Sequence, residues 1–177
     1  MPTSSPNAVA KALASIHTES GANLLALAEA SPMLLVFLRH FGCSFCRQAI
    51  SDVSELQGEL YRRNVRPVFV HMGTPERAQP FFDYYGISGA ERVSDPGAEM
   101  YRHPVFALHR INPWVIFTQP AVWMGWLKGT LFEHGVGKIE ESAAQMPGLF
   151  YLKGTVIVRR FRYRTIADEP DYLRLIR

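Results

Sequence analysis

Residues 33–46 read MLLVFLRHFGCSFC, and this stretch decides the predicted fold. Its first six residues are apolar at consecutive positions, which is typical of a strand buried on both faces of a parallel sheet. Residues 47–63 then place apolar side chains on one face at helical spacing, with no interior proline, and predict a helix. Cys43 and Cys46 are therefore expected at a junction between a buried strand and a helix.

The neighbouring segments extend this unit in both directions. Residues 67–72, PVFVHM, predict a second buried strand, and Thr74 and Pro75 after it are typical of the cap and first residue of a helix. The resulting β-α-β-α unit implies a right-handed crossover. Before it, residues 8–30 show helical spacing interrupted near Gly21, which predicts two amphipathic helices.

The C-terminal part predicts a hairpin and a final helix. Residues 149–152 and 155–164 are rich in apolar, β-branched or aromatic side chains and are separated by Lys153-Gly154, which indicates a tight β-turn. A last helix is expected over residues 168–176, with Asp168 as its cap. Residues 112–137, which include Trp114, Trp123 and Trp126, fit neither period and are interpreted as an irregular aromatic insertion.

Length and composition indicate one globular domain over residues 1–177, and the order of the predicted elements makes it α/β, with residues 1–30 as a helical N-terminal extension. The apolar share of 47% excludes wholesale disorder. A net charge of +3 is too small to imply nucleic-acid binding. No uncharged apolar run reaches the length of a membrane span, and the N-terminus lacks the order of an export signal, so a cytoplasmic protein is expected.

The two cysteines are the strongest chemical signal in the chain. A sulfur at a helix N-terminus is stabilised as a thiolate by unpaired amide hydrogens and by the helix dipole. Arg39, His40 and Arg47 add positive charge close by, so a thiol pKa below the free value of about 8.5 is expected. Side chains three positions apart share one face of a helix, which permits a reversible disulfide.

Other interpretations of these side chains remain open from the sequence. A zinc site would need two more ligands, but the chain has no second cysteine pair and no closely spaced histidines. Two inert core cysteines are the second alternative. Asp52 and Glu55 are interpreted as a solvated helix face, and His71 as a structural strand-end residue. No cofactor and no metal are expected.

Four segments carry a resemblance to a known family: LLVFLRHFGCSFCRQAISDVSEL, PVFVHMGTPERAQPFFDYYGI, SDPGAEMYR and MPGLFYLKGTVIVRRFRY. They resemble the peroxiredoxin-like proteins of the thioredoxin superfamily, in particular the alkyl hydroperoxide reductase and thiol-specific antioxidant relatives that include selenoproteins L and U. The resemblance covers about residues 30–172. It implies a thioredoxin-like fold, a central mixed sheet flanked by helices, and thiol-dependent redox activity.

The resemblance implies two possible roles for the cysteines. By the thioredoxin pattern, Cys43 is the attacking thiol and Cys46 resolves. By the peroxiredoxin pattern, Cys46 is the peroxidatic residue, and Cys43 stands where those proteins carry a threonine. Phe37 occupies the position of the buried carboxylate of thioredoxins, and Pro147 matches their cis-proline, although trans is the default for any proline.

The implied partners are a thiol reductant of the thioredoxin or glutathione type and a disulfide or peroxide substrate. A non-catalytic binding module with the same fold is the alternative of another class. Two surfaces would suit such a role: the aromatic insertion, which could also be a homodimer contact, and a face formed by Arg160, Arg162 and Arg164.

Overall fold

The computed structural model describes residues 5–112, 144–165 and 167–177. The described helices are α1 Pro6–Ala14, α2 Leu24–Ala30, α3 Ser44–Glu55, α4 Gln57–Arg62, α5 Pro75–Tyr84, α6 Glu99–Arg102 and α7 Tyr172–Leu175. The described strands are β1 Met33–Phe37, β2 Arg66–His71, β3 Glu91–Ser94, β4 Gly148–Lys153 and β5 Val156–Arg162. None of the helices in these ranges is long and apolar enough to cross a membrane.

The strands form one mixed sheet in the order β3-β2-β1-β4-β5. β1 lies at its centre and runs parallel to β2, with Met33 opposite Arg66 and Phe37 opposite Val70. β2 is also parallel to β3, whereas β4 is antiparallel to both β1 and β5. The central strand β1 therefore has a parallel neighbour, β2, on one side and an antiparallel neighbour, β4, on the other.

Side chains of β1 alternate between two cores, as the two-residue period of a strand requires. Leu34 and Val36 belong to the core that contains both cysteines and residues of α3, α5 and α7. Met33, Leu35 and Phe37 belong to the opposite core, which contains residues of α1, α2 and α6. Both faces of β1 are covered, as its continuous apolar sequence predicts.

The structure confirms the predicted α/β class with a mixed sheet flanked by helices, and it confirms β1, β2, the hairpin and the two N-terminal helices. The short helix α6 was not predicted, and three further details differ. The predicted helix 47–63 begins earlier, at Ser44, and is divided at Leu56 into α3 and α4. Strand β3, which the sequence did not predict, adds an edge to the sheet.

The third difference concerns the last helix. It spans only Tyr172–Leu175, and its cap is Asp171, whose carboxylate accepts a hydrogen bond from the Arg174 amide at 2.8 Å. Asp168 was expected to be this cap. Its carboxylate instead accepts hydrogen bonds from the Arg164 amide and the Thr165 hydroxyl, which stabilise the turn after β5. The aromatic insertion, including Trp114, Trp123 and Trp126, lies outside the described residues.

Candidate dithiol site

Cys43 and Cys46 lie where the sequence predicts, at the start of the helix that follows β1. Cys43 precedes α3 in extended conformation, and its carbonyl accepts hydrogen bonds from the amides of Cys46 at 3.1 Å and Arg47 at 3.2 Å. Cys46 lies in the first turn of α3. Both thiols are reduced and buried, with 7% of Cys43 and 3% of Cys46 exposed. The pair therefore has one member at the helix terminus and one further into the core.

The two thiols have opposite pKa shifts. The pKa of Cys43 is lowered to about 6, chiefly because the Cys46 side chain donates a hydrogen bond to it. Burial opposes this shift, while the Arg39 charge and the amides of Cys46 and Phe45 reinforce it. Burial and the neighbouring Cys43 raise the pKa of Cys46 well above its ordinary value. At neutral pH the site therefore contains a Cys43 thiolate next to a Cys46 thiol.

Arg39 supplies the nearest described cation to this thiolate. Only 2% of Arg39 is exposed, and its Nη1 lies 3.8 Å from the Cys43 Sγ. Its backbone amide donates to the Cys46 Sγ at 3.2 Å, so one residue contacts both sulfurs. A buried cation at this distance favours the charged form of the thiol.

Gln145 holds the Arg39 guanidinium in place. The backbone carbonyl of Gln145 accepts a hydrogen bond from the Arg39 Nε at 3.0 Å. The side-chain amide of Gln145 donates hydrogen bonds to the backbone carbonyls of Leu108 and His109, both at 3.2 Å. Gln145 is 1% exposed and 106 residues away from Arg39 along the chain. Sequence reasoning missed it, because no local pattern connects positions so far apart.

His40 and Arg47 lie near the thiols but make different interactions. The pKa of His40 is lowered to about 4, first by burial and then by the charges of Arg39, Arg47 and Arg77, so its ring is neutral at pH 7. The Arg47 Nε donates to the Phe41 carbonyl at 2.6 Å, and its guanidinium lies 4.9 Å from the centre of the Phe81 ring. The predicted positive charge at the thiols thus comes from Arg39 and not from His40.

Pro147 lines a small cavity together with Cys43, Cys46 and Tyr163. The volume of this cavity is about 10 Å³, close to the least that admits one water molecule. No peptide bond of the described residues is cis, so the bond before Pro147 is trans. Pro147 is thus placed beside the cysteines as the resemblance implies, but without the cis bond of thioredoxins.

Two further side chains lie near the site: Tyr101, which was not identified from the sequence, and Asp52, which was expected to be more exposed than it is. The Tyr101 hydroxyl donates to the carbonyls of Leu38 and Val70, the latter at 2.9 Å, and so connects the ends of β1 and β2. Tyr101 belongs to the segment SDPGAEMYR, one of the four that carry the family resemblance, and that segment was the sequence signal that could have identified it. Asp52 was expected on a solvated face, but it is half-buried, and burial is the first cause that raises its pKa to about 6.

Solved structures with a similar backbone belong to thiol-redox proteins. A mutant of peroxiredoxin Q from Xanthomonas campestris has a TM-score of 0.60 and 13% identity, over 86% of this chain and 82% of that chain. Peroxidoxin BcpB from Mycobacterium tuberculosis has a TM-score of 0.58 and 10% identity, over the same shares. A structure described as the thiol:disulfide interchange protein DsbE, from Chlorobium tepidum, has a TM-score of 0.50 and 15% identity, over 83% and 78%.

The chain has a peroxiredoxin-like form of the thioredoxin fold. No protein-family model and no curated protein sequence matches it. At these identities the peroxiredoxin likeness establishes the fold alone, because one fold hosts many activities.

Proposed function

We propose that the protein is a thiol-dependent oxidoreductase in which Cys43 attacks the substrate and Cys46 resolves. The observation that carries the proposal is the asymmetry of the pair: Cys43 lies at the helix terminus, 3.8 Å from the Arg39 guanidinium, and its pKa is lowered to about 6. The thiolate is the reactive form of cysteine, so Cys43 is activated at neutral pH. Cys46 is more deeply buried and keeps its proton.

The reaction with a disulfide would proceed in two exchanges. The Cys43 thiolate attacks one substrate sulfur, the substrate S–S bond breaks, and the other sulfur leaves as a thiolate. Cys46 then loses its proton and attacks the Cys43 sulfur, which releases the second substrate sulfur and forms the Cys43–Cys46 disulfide. Two electrons pass to the substrate, and a thiol reductant of the thioredoxin or glutathione type returns them.

A peroxide is the second substrate class, favoured by the likeness to peroxiredoxin structures. In that reaction a thiolate attacks one peroxide oxygen, the O–O bond breaks, the other oxygen leaves as hydroxide or alkoxide and takes up a proton, and a sulfenic acid forms. The other thiol then attacks the sulfenic sulfur, a disulfide forms and water leaves. The raised pKa and the 3% exposure of Cys46 argue against it as the peroxidatic residue. We assign the attack to Cys43 for both substrates.

An insulin-reduction assay beside a peroxide-consumption assay tests the proposal, with wild type, Cys43→Ser and Cys46→Ser proteins. Cys43→Ser should abolish both activities, and Cys46→Ser should accumulate a mixed disulfide on Cys43. A Cys43→Ser protein that still reacts quickly with peroxide and forms a dimedone adduct at Cys46 would reverse the assignment. Persistence of both free thiols after mild oxidation would instead favour the non-catalytic binding module.

A further inference from the structure

Two short segments beside the thiols, residues 108–111 and 144–147, pair with each other. Arg110 and Gln145 form an antiparallel β-bridge between them. Backbone hydrogen bonds of 2.8 and 3.1 Å extend the pairing on either side of this bridge. The second segment contains Pro147, which lines the cavity shared by the two cysteines. The paired segments therefore reach the edge of the dithiol site.

The side chain of Gln145 fastens the two paired segments together. Its amide nitrogen donates to the backbone carbonyls of Leu108 and His109, both at 3.2 Å, and to that of Met146 at 3.4 Å. A carbonyl can accept a hydrogen bond but cannot donate one, so the amide nitrogen and not the amide oxygen must face these groups. The side chain is 1% exposed, and burial strengthens the bonds because water does not compete for the carbonyls.

The backbone carbonyl of Gln145 connects this arrangement to the reactive thiol. It accepts from the Arg39 Nε at 3.0 Å, and the Nη1 of the same guanidinium lies 3.8 Å from the Cys43 Sγ. A guanidinium is planar and rigid, so a hydrogen bond at Nε constrains where its Nη atoms lie. The aliphatic stem of an arginine has several rotatable bonds and does not fix the guanidinium by itself. The position of the Gln145 carbonyl therefore affects the distance between the cation and the sulfur.

We propose that the side chain of Gln145 is a positioning residue of the dithiol reaction, because it fixes the carbonyl that orients the Arg39 guanidinium toward the Cys43 sulfur. This inference rests on the proposed function, in which the Cys43 thiolate makes the first attack. Gln145 is uncharged, and among the described residues no hydrogen bond joins it to either sulfur. Its effect on the thiolate therefore passes through Arg39, and it exchanges no proton or electron during the reaction.

A role confined to folding would give a different experimental result. The amide would then stabilise the paired segments, and its loss would lower the free energy of unfolding without changing the ionisation of Cys43. A positioning role changes both quantities, because a displaced guanidinium makes a longer and weaker hydrogen bond to the sulfur. The ionisation of Cys43 is therefore the measurement that separates the two roles.

Gln145→Met tests the proposal, because methionine is also unbranched and of similar length but has no donor. The readout is iodoacetamide alkylation of Cys43, followed between pH 5 and 9. We expect the midpoint of this profile to rise by about 0.5–1 pH unit, less than for Arg39→Met, because the charged hydrogen bond is weakened but the charge stays. Gln145→Asn keeps the amide on a side chain one methylene shorter and should give a smaller rise; this milder variant decides the question if Gln145→Met does not fold.

The double variant shows whether the effect passes through Arg39. In an Arg39→Met background, Gln145→Met should move the midpoint by less than about 0.2 pH unit, since the group that it positions is already gone. Equal shifts in the two backgrounds would overturn the proposal, because Gln145 would then act on the thiol by another route. A Gln145→Met protein with the wild-type midpoint and a lowered free energy of unfolding would also overturn it.

Asn23→Ala is the matched control for the loss of a side-chain amide. The Asn23 amide likewise donates to a backbone carbonyl, that of Ala14 at 2.8 Å, but it connects α1 and α2, which pack on the face of the sheet opposite the cysteines. This variant should lower the free energy of unfolding and leave the midpoint unchanged. The midpoint is measured without substrate turnover, so it tests Gln145 separately. Absence of insulin reduction and of peroxide consumption in wild type would instead contradict the proposed function.

Discussion

The buried guanidinium of Arg39 should lower the pKa of Cys43 in addition to the hydrogen bond from Cys46, and its removal is a direct test of the site's electrostatics. Arg39→Met keeps an unbranched apolar stem in the core but removes the charge 3.8 Å from the Cys43 Sγ. The Arg39 backbone amide, which donates to Cys46, is unaffected by the substitution. We expect the pKa of Cys43 to rise from about 6.

The size of the rise follows from the value of one charged hydrogen bond. Such a bond contributes about 1.5–3 kcal/mol, and one pKa unit corresponds to about 1.4 kcal/mol. The pKa of Cys43 should therefore rise by about one to two units, to about 7–8. The thiolate fraction at pH 7 then falls from about nine tenths to between about one half and one tenth.

The assay must follow the midpoint of the pH profile and not the rate at a single pH. A thiolate of higher pKa is a stronger nucleophile, with a Brønsted slope of about 0.4–0.5, and this gain largely offsets the lost thiolate fraction at pH 7. Iodoacetamide alkylation of Cys43, quantified by peptide mass spectrometry between pH 5 and 9, gives the midpoint directly. Circular dichroism at each pH confirms that the variant is folded.

Two further variants give this experiment its controls. Arg39→Lys keeps a charge but cannot donate to the Gln145 carbonyl in the same geometry, so its midpoint should lie between those of wild type and Arg39→Met. Arg66→Met removes an exposed charge on β2, far from the thiols, and should leave the midpoint unchanged. If the Arg39→Met midpoint stays near pH 6, the hydrogen bond from Cys46 accounts for the low pKa by itself, and the contribution that we assign to the Arg39 charge is wrong.

Three other predictions concern the free energy of unfolding, measured by urea titration. Glu19→Ala should lower it by about 2 kcal/mol, because it leaves the Arg92 guanidinium, which is 11% exposed and 2.8 Å from Glu19, without a carboxylate partner. Gly148→Ala should lower it by about 1–2 kcal/mol, because the added Cβ would lie 2.5 Å from a methyl carbon of Leu108. Asp52→Asn should raise the free energy of unfolding by about 1 kcal/mol at pH 8, a figure reduced because the side chain is partly exposed. This increase in stability should become smaller as the pH is lowered to 4.

The sign of the Asp52 effect follows from its raised pKa. Folding favours the neutral carboxyl, so the folded state gains stability from this group only at low pH and loses it as pH rises through about 6. Asparagine is neutral at every pH and avoids that loss. Glu29→Ala and Glu55→Gln change exposed carboxylates and should move the unfolding free energy by less than about 0.5 kcal/mol. Equal gains for Asp52→Asn at pH 4 and pH 8 would contradict the linkage argument.

The local patterns predicted the elements that carry the cysteines because those patterns depend on near neighbours. The apolar run of β1 and the helical spacing after Cys43 each reflect burial that is repeated every few residues. β3, which is only four residues long and contains a single buried residue, Val93, offers no such period, and the sequence did not predict it. The last helix was placed too early because Asp168 and Asp171 both carry a capping carboxylate, and only the tertiary packing of α7 decides between them.

The residues that tune the thiols could not be predicted in the same way. Gln145 contacts Arg39 across 106 residues, and Tyr163, which follows β5, lines the same cavity as Cys46. Their effects depend on burial and on distances between elements, which single-sequence patterns do not encode. Asp52 shows the limit most clearly, because its position on α3 suggests a solvated face until α7 and Tyr172 are packed beside it.

The division of labour between the two cysteines follows from helix geometry. A residue in the cap position still has extended backbone and lies where amide hydrogens are unpaired, so its sulfur gains donors and a favourable dipole. A residue three positions later is already within the first turn and, on this helix, faces the core of Ile50 and Val53. The same three-residue spacing that brings the sulfurs together therefore also makes their environments unequal. Cys43 gains a thiolate, whereas Cys46 keeps its proton, and in the proposed reaction Cys46 loses it only when it attacks the mixed disulfide.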